Sequence, residues 1–431
     1  MSAHDTPRPA RLVTLRLPIW WTFGGLVAGL IAGSLIAGQP VADRILPVTG
    51  PVGTLWLRAL QMTIIPLVAA LLVLGITQLA SAARAGATAR RMLLFVACAL
   101  VFSGLATIIA MPLLLDAVPP PAGAQGLLAE NVEPQQVPGI AEFILSLVAP
   151  NIVAAAAETA MLPLTIFFAL FAVAITRLPA EQSAILRGFF EAVANAMLTV
   201  IGWVLWLAPV GVFALALGVA VRAGGDAAFL TLMHYILTVA AMGGIVLVAA
   251  FLVGAIRHGP VAFARAMLPA QAVAISTQSS LASLPAMLAS ARRLDVSENV
   301  ADFVLPLSVA IFRATSPAMN LAVAFYVAHL FGIELTLPAM LAGLAVAFVI
   351  SIGSVSLPGS ISFVVSIGPI ALAMGVPVEP LALLVAVEML PDIMRTLANV
   401  TADVALASAT DRTARENHAT DGDPARSLTD S

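Results

Sequence analysis

The chain has 431 residues, 61% of them hydrophobic and only 10% charged, and its formal net charge is −3. A soluble domain normally carries about 25% charged residues, so this composition excludes an ordinary water-covered protein and indicates a surface that faces lipid. The sequence has no block of basic residues that could follow a phosphate backbone, which argues against a nucleic-acid partner. The single cysteine, Cys98, excludes an intrachain disulfide and lies in an apolar run that predicts a buried side chain.

Apolar segments follow one another along most of the chain. A membrane-spanning helix needs about 20 mainly apolar residues. Segments of this kind lie at about 18–37, 52–79, 92–115, 189–221 and 229–256, with a shorter one at 161–175. We interpret the first as a retained helix and not as a signal peptide, because many more segments follow it. From about 262 to 407 the sequence stays apolar but is interrupted by Ser, Gly and Pro.

Arginines mark alternate connections between these segments. They are Arg8, Arg11 and Arg16, then Arg84, Arg90 and Arg91, then Arg177 and Arg187, Arg257 and Arg265, Arg292 and Arg293, and Arg412 and Arg415. The longest intervening loop, 116–142, has no basic residue and contains Glu130 and Glu133. Because basic loops stay in the cytoplasm, the pattern predicts an inner-membrane protein with both termini cytoplasmic. Residues 1–17 form the predicted cytoplasmic N-terminus, and 408–431 a disordered cytoplasmic tail.

The alternation holds only if two segments enter the membrane and leave on the same side. One is 274–285, which is rich in Ser and flanked by Arg265 and Arg292. The other is 354–360, between two predicted outer loops, and both contain Ser-Leu-Pro. Similar segments in opposite orientation are typical of the inverted repeats of transporters. The sequence therefore predicts an all-α polytopic membrane protein with eight transmembrane helices and two re-entrant helical hairpins.

Five ionisable residues lie within the apolar sequence near these hairpins. They are Arg313, Glu388, Asp392, Arg395 and Asp403. Each is costly in lipid and should face the protein interior, a partner or water. The spacing of three and four residues places Asp392, Arg395 and Asn399 on one helix face. Two interpretations remain open. The charges are structural ion pairs such as Glu388–Asp392–Arg395, or they bind a zwitterion with an additional carboxylate, which arginine holds bidentately.

Four segments resemble, in order, landmarks of the glutamate transporter family, the dicarboxylate and amino acid:cation symporters. They are 61–67, 206–213, the first Ser-rich tip and 392–403. The resemblance implies an elevator-type fold with alternating access, a homotrimer in the lipid bilayer and a small-molecule carboxylate as substrate. It also implies that 18–260 holds six helices that mainly form the scaffold and trimer contacts, while 261–407 is the transport core.

The resemblance further implies a substrate site. In it Arg395 binds the side-chain carboxylate, Asp392 binds the amino group, and Thr396 and Asn399 complete the pocket. The hairpin tips and the helix between them contribute Ser279, Ser280, Thr315, Pro358, Gly359 and Ser360, with 354–362 as an outer lid. The implied substrate is glutamate or aspartate, with a C4-dicarboxylate as the alternative, and the presence of Asp392 favours an amino acid.

One motif departs from the family pattern. The family's Asn-Met-Asp-Gly-Thr stands where this chain has 312–316, so the carboxylate is missing and Arg313 lies beside its place. Asp403 is retained and, with Asn399, forms a possible sodium site. We interpret Arg313 as a tethered substitute for a bound cation. The coupling ion is then a proton, through Glu388 or Asp403, or a sodium ion, and no other cofactor is expected.

Other functions remain as alternatives. One is a proton-coupled or uncoupled carrier of a different small carboxylate or a neutral amino acid, and channel activity is expected only beside transport. A remote one is an intramembrane hydrolase, because serines lie at membrane depth. A serine nucleophile needs a base within reach, and no histidine is predicted beside the Ser-rich tips. The histidines are His4, His234, His258, His329 and His418.

Overall fold

A computed structural model describes residues 19–83, 86–121, 145, 147–223, 225–353 and 359–411. The described residues form helices and no strand. The first nine helices are α1 (Ile19–Ile36), α2 (Ala42–Gln61), α3 (Ile64–Ala83), α4 (Ala87–Ala117), α5 (Ile152–Ala157), α6 (Met161–Ile175), α7 (Ala180–Trp206), α8 (Ala208–Ala223) and α9 (Gly225–His258). The others are α10 (Pro260–Thr277), α11 (Ser280–Arg293), α12 (Glu298–Ile311), α13 (Thr315–Leu330), α14 (Leu337–Gly353), α15 (Gly359–Ala373), α16 (Leu381–Leu384) and α17 (Met389–Thr410).

Within the described residues, four helical stretches are long and apolar enough to cross a membrane. They are Ala42–Ser81, Ala87–Ala117, Ala180–Trp206 and Ala227–His258. Large apolar side chains such as Trp21, Leu237 and Ile256 are exposed on the helix surfaces. Helices whose backbone groups are bonded internally can bear such surfaces in lipid. The fold is that of a multi-pass membrane protein, while the count of eight spans and two hairpins stays a prediction.

Helices α1 and α8 touch along a seam of small residues. The glycines of α1 recur every fourth residue at Gly25, Gly29 and Gly33. A Cβ atom on Gly29 would lie 2.5 Å from the carbonyl oxygen of Phe213, and one on Gly25 would lie 2.4 Å from that of Pro209. Small residues at such spacing let two membrane helices bring their backbones together. This seam fixes α1 against α8.

Helices in the second half of the chain are interrupted where the predicted site lies. Helices α10 and α11 join at Gln278, whose backbone is left-handed with a φ of 51°. At the start of α11, Ser279 Oγ accepts a hydrogen bond from the backbone N–H of Ala282 at 3.2 Å. This N-cap satisfies a free donor at the start of α11. The break predicted in the first Ser-rich segment is therefore present. Further breaks lie at 312–314 and 385–388, while 354–358, between α14 and α15, falls outside the described residues.

Three details differ from the sequence predictions. The second apolar segment begins at Ala42 and not at 52, because Pro47 and Pro51 lie inside α2 without ending it. Cys98, predicted to be buried, is exposed on α4. Helix α17 continues to Thr410, past the predicted start of the tail at 408. Asp411 explains this extension, because its Oδ2 accepts from the backbone N–H of Ser297 at 2.7 Å and so ties the end of α17 to the bundle.

Candidate functional site

Arg395 lies at the centre of a buried cluster on α17. Its Nη2 is 2.5 Å from Oε1 of Glu388, and its Nε is 3.2 Å from Oδ1 of Asp392. No more than 8% of any of these three side chains is exposed. Glu388 directly precedes α17, so the three residues share one helix face at spacings of four and three. The ion pairs named in the first of the two open interpretations are therefore present, and substrate binding by the same residues stays a prediction.

Asn320 of α13 completes the surroundings of the guanidinium, and the sequence analysis missed it. Its Oδ1 accepts from Nη1 of Arg395 at 2.8 Å, and its Nδ2 donates to Ser316 Oγ at 3.1 Å. Each nitrogen of Arg395 thus faces a side-chain oxygen of the protein. The available signal was an amide inside a buried apolar helix, four residues after a serine and therefore on the same face.

A second residue that the sequence analysis missed reaches Glu388 from α9. The hydroxyl of Tyr235, a residue with no exposed surface, donates to Oε2 of Glu388 at 3.4 Å. Both oxygens of this carboxylate therefore have partners, one cationic and one neutral. A buried carboxylate needs such partners because its transfer from water is costly.

Asn399 joins α17 to the start of α13. Its Oδ1 accepts from both the backbone N–H and the Oγ1 of Thr315, each at 3.0 Å. The first contact satisfies one of the free N–H groups at a helix start. Because the oxygen is used in this way, the amide nitrogen of Asn399 is the atom that can donate to a ligand. Thr396 is buried on the same helix.

Asp403 and Arg313 form the second charged feature. Asp403 is 1% exposed, and neither of its carboxylate oxygens has a hydrogen-bond partner among the described residues. The guanidinium of Arg313, in the break between α12 and α13, lies within electrostatic range of Asp403 and of Asp392. The structure thus places the fixed positive charge of Arg313 near Asp403, the carboxylate that the sequence analysis proposed as a cation ligand.

The hairpin residues are only partly placed. Helices α10 and α11 pack on α17, and Ser279 and Ser280 are half-buried at the turn between them. No hydrogen bond joins either serine to α17 within the part of the chain described. Gly359 begins α15, while Pro358 and the side chain of Ser360 lie outside the described residues, so their roles stay predictions.

One histidine lies beside a serine, which bears on the hydrolase alternative. Nε2 of His258 is 2.5 Å from Oγ of Ser408. Ser408 has no exposed surface, so a scissile bond could not reach its oxygen. This pair therefore gives no support to a serine nucleophile.

One protein family and several known transporters match most of this chain. The profile of the sodium:dicarboxylate symporter family matches residues 19–413. The chain is 28% identical over 397 residues to the proton/sodium-glutamate symport protein of Bacillus subtilis (strain 168), covering 88% of each chain. It is 27% identical over 398 residues to the proton/glutamate-aspartate symporter of Escherichia coli (strain K12), covering 88% of this chain and 89% of that one.

A relative named for a different class of substrate also matches. The neutral amino acid transporter B(0) of Oryctolagus cuniculus is 26% identical over 442 residues, covering 93% of this chain and 81% of the relative. The predicted family resemblance is confirmed, since the family profile spans nearly the whole chain. This chain is a member of the sodium:dicarboxylate symporter family.

Proposed function

We propose that this protein is a secondary active symporter that takes up an acidic amino acid, glutamate or aspartate, together with a coupling cation. The observation that carries the proposal is the buried cluster in which Arg395 lies between Glu388 and Asp392. Ionised groups inside membrane-spanning helices are costly and mark substrate and ion pathways. The glutamate symporters of Bacillus subtilis and Escherichia coli support the same substrate class.

The residues of the cluster have separable roles. Arg395 binds the side-chain carboxylate, and Asp392 binds the substrate ammonium. Every nitrogen of the guanidinium already faces an oxygen of the protein, so a substrate carboxylate has to replace one of them. Two of these partners are carboxylates, and since Asp392 is assigned to the substrate ammonium, Glu388 is the residue that the substrate carboxylate displaces. The remaining predicted contacts are Ser279, Ser280, Thr315, Pro358, Gly359, Ser360, Thr396 and Asn399.

Charge balance requires a coupled cation. The site holds three carboxylates, those of Glu388, Asp392 and Asp403, and two guanidinium groups, those of Arg313 and Arg395. The fully ionised site therefore has one excess negative charge, and an acidic amino acid adds another. Uncompensated charge in an apolar interior is strongly unfavourable. Loading the site with substrate thus requires bound protons or metal cations.

We assign the proton to Glu388. A proton on this carboxylate removes its charge, frees Arg395 for the substrate and compensates the charge that the substrate brings. Arg313 supplies a permanent charge near Asp403, where a sodium ion is the alternative occupant. Asn399 becomes a further sodium ligand only when its Oδ1 is released from Thr315. Since a guanidinium keeps its proton, the charge of Arg313 cannot leave during the cycle.

The proposed assembly, membrane orientation and transport movement are those that the family resemblance implies. The protein is proposed to work as a homotrimer in the inner membrane with both termini cytoplasmic, and to carry its substrate by an elevator movement of the core 261–407 against the scaffold. The positions of the arginines in alternate connections support this orientation.

Uptake of labelled glutamate and aspartate into proteoliposomes tests the proposal. A proton gradient alone, a sodium gradient alone, and both together are compared, with choline replacing sodium. Accumulation against the substrate gradient driven by protons without sodium supports it. Passive equilibration alone excludes a symporter, and accumulation that needs sodium but no proton gradient moves the coupling site to Asp403. Stronger competition by serine or alanine than by aspartate identifies a neutral amino acid carrier.

A further inference from the structure

The guanidinium of Arg395 is held from two separate helices. Glu388 and Asp392, which bond its Nη2 and its Nε, stand directly before α17 and in its first turn. The third partner, Asn320, comes from α13 and bonds Nη1 at 2.8 Å. Asn320 therefore differs from the other two partners both in its charge and in the helix that carries it.

The side-chain amide of Asn320 has its orientation fixed at both ends. Arginine carries five N–H donors and no acceptor, so the atom of Asn320 that faces Nη1 has to be its carbonyl oxygen. The amide nitrogen then points to Ser316, one turn earlier on α13, and donates to its Oγ at 3.1 Å. Asn320 and Ser316 are 3% and 4% exposed, so both bonds form away from water. Ser316 thus helps to keep the oxygen of the amide turned toward Arg395.

Helix α13 is fixed to its neighbours in the turns that lead up to Asn320. The backbone N–H and the hydroxyl of Thr315 both donate to Oδ1 of Asn399 on α17 at 3.0 Å. The backbone N–H of Ala318 donates to Oγ of Ser103 on α4 at 3.1 Å. The position of Asn320 is therefore set by contacts that do not involve the charged cluster.

Loading of the site leaves Arg395 with two of its three partners. In the proposed function the substrate carboxylate displaces Glu388, while Asp392 binds the substrate ammonium. A guanidinium bonded only at Nε can still turn its plane, and a second bond at Nη1 prevents this. Each Nη bears two hydrogens, so Nη1 can bond Asn320 with one and offer the other to the substrate. A bidentate contact depends on this alignment, because it consists of two parallel N–H···O bonds.

The neutrality of Asn320 suits a partner that stays in place during loading. A third carboxylate beside Arg395 would compete with the substrate as Glu388 does. Its charge would also add to the excess negative charge of the loaded site, and uncompensated charge in an apolar interior is strongly unfavourable. An amide oxygen accepts the hydrogen bond without a net charge. Asn320 can therefore hold the guanidinium in the empty site and in the loaded one.

We propose that Asn320 is a positioning residue for acidic substrates: it keeps the guanidinium of Arg395 in its binding orientation after Glu388 has left, and Ser316 orients its amide. The inference deepens the proposed function and rests on it. It assigns part of the affinity for the substrate carboxylate to α13. Asn320 acts through Arg395 and needs no contact of its own with the substrate.

The test measures KM and the maximal rate of glutamate and aspartate uptake by the full chain in proteoliposomes. Asn320→Leu keeps a branched side chain but removes the acceptor, and its bulk leaves no space for a water molecule to replace it. KM should rise about tenfold, equivalent to about 1.4 kcal/mol, because the loaded site loses one of its two remaining anchors. The maximal rate should stay within about twofold, since saturating substrate fills the weakened site.

Ser316→Ala tests the orientation of the amide. The nitrogen of Asn320 loses its acceptor in this variant, and KM should rise about threefold. If Ser316 acts through Asn320, the double variant should have the KM of Asn320→Leu alone, because residues in one hydrogen-bond network do not act additively. Effects on KM that multiply in the double variant overturn the role given to Ser316.

Tyr326→Phe is the matched control on the same helix. Tyr326 has no exposed surface, and its hydroxyl donates to the backbone carbonyl of Thr231 on α9 at 3.0 Å. The variant thus also removes a buried bond between α13 and a neighbour, but six residues from Asn320 and on a different face of the helix. Its thermal midpoint in detergent should fall while KM stays within twofold.

The pH profile separates positioning from coupling. Because Glu388 still takes up the proton in Asn320→Leu, KM should be raised by the same factor at every external pH. A pH profile that becomes flat in this variant would give Asn320 a role in coupling and overturn the proposal.

Two further results overturn the positioning role. One is a KM of Asn320→Leu within twofold of the unmodified protein, and the other is a lower maximal rate with unchanged KM, which shows only a loss of folded protein. If Asn320→Leu does not fold, Asn320→Ala replaces it, with an expected rise in KM of at least threefold and the same twofold limit. If the unmodified protein takes up neither glutamate nor aspartate, the proposed function itself is wrong and the inference falls with it.

Discussion

Nη2 of Arg395 lies 2.5 Å from Oε1 of Glu388, seven residues earlier in the chain, and the two side chains are 7% and 2% exposed. In the proposed function, this pair occupies the edge of the guanidinium that the substrate carboxylate has to bind. Ion pairing with Glu388 and binding of the substrate would then use the same atoms of Arg395 and could not occur at the same time. The predictions that follow test this competition between the two carboxylates.

Arg395→Ala should abolish uptake of glutamate and aspartate. Truncating one partner of a buried charge pair costs about 2–5 kcal/mol, or at least roughly thirtyfold in affinity. The variant also leaves Glu388 and Asp392 without their cation, so its thermal midpoint in detergent is measured beside uptake. Arg395→Lys keeps the charge but loses the planar fork, and it should fold normally while still losing most uptake.

Arg292→Ala is the control for this series, because Arg292 forms an exposed ion pair with Glu298 at 3.6 Å. Exposed pairs contribute about 0–1 kcal/mol, so this variant should keep full uptake. Acidic amino-acid affinity that stays within about threefold in Arg395→Ala, less than 1 kcal/mol, would show that the site is wrongly assigned.

Glu388→Gln should remove the proton dependence of uptake. The amide is close in size to the carboxylate, and its oxygen can still accept from Arg395 while its NH2 donates to the hydroxyl oxygen of Tyr235, but it carries no charge and takes up no proton. Because a neutral oxygen competes less strongly for the guanidinium, the apparent KM for glutamate in alkaline medium should fall by about threefold to tenfold, roughly 1 kcal/mol. Initial rates across external pH measure both effects.

Glu334→Gln, an exposed position between α13 and α14, should leave the pH profile unchanged. A Glu388→Gln protein that keeps the pH profile of the unmodified chain would place the coupling proton elsewhere, and Asp403 would be the remaining candidate.

The charged face of α17 could be predicted from the sequence because all its residues lie within one helix. Asp392, Arg395 and Asn399 share a helix, so spacing alone places them on one side. The turn at Gln278 was equally accessible, since polar residues inside an apolar stretch indicate a break. Asn320 and Tyr235 were missed because they reach the cluster from α13 and α9, and no local pattern shows which face of those helices meets α17.

Helix boundaries show the same limit. The second apolar segment was predicted to begin at about 52, yet α2 begins at Ala42 and passes through Pro47 and Pro51. Prolines are tolerated in membrane helices where the surrounding protein satisfies the freed carbonyls, so a proline alone does not mark the end of such a helix. Likewise, the polar residues after 407 indicated a tail, while tertiary contacts of Asp411 hold the chain in the bundle.

Gly29→Ala should destabilise the seam between α1 and α8. The added Cβ would meet the Phe213 carbonyl at 2.5 Å and the Ala216 Cβ at 2.9 Å, so the helices must move apart. Overpacking of this kind costs about 1–3 kcal/mol, and we expect a lower thermal midpoint in detergent. Gly24→Ala is the matched control on the same helix, because nothing lies within 4 Å of its added Cβ. Equal midpoints for the two variants would mean that the seam does not limit stability.

The last prediction concerns Arg313, whose charge stands near Asp392 and Asp403. If this tethered cation takes the place of a bound sodium ion, uptake should persist when choline replaces sodium. A steep sodium dependence with a Hill coefficient above about 2, which indicates several coupled sodium sites, would exclude the replacement. Arg313→Met combined with Ala314→Asp restores the residues that the family carries at these positions, and this double variant should gain stimulation by sodium.

The single variants Arg313→Met and Ala314→Asp show whether both substitutions are needed for stimulation by sodium. Arg313→Met leaves Asp403 without a nearby cation, so it should lose uptake both with and without sodium. Ala314→Asp places a carboxylate at a buried position next to the guanidinium of Arg313, and the two side chains should pair with each other and give no sodium stimulation. Stimulation by sodium in the double variant alone, measured as initial rates with sodium or choline at constant ionic strength, shows that the arginine occupies the position of the ion. Stimulation already present in the unmodified chain shows that Arg313 makes a fixed ion pair and that sodium binds beside it.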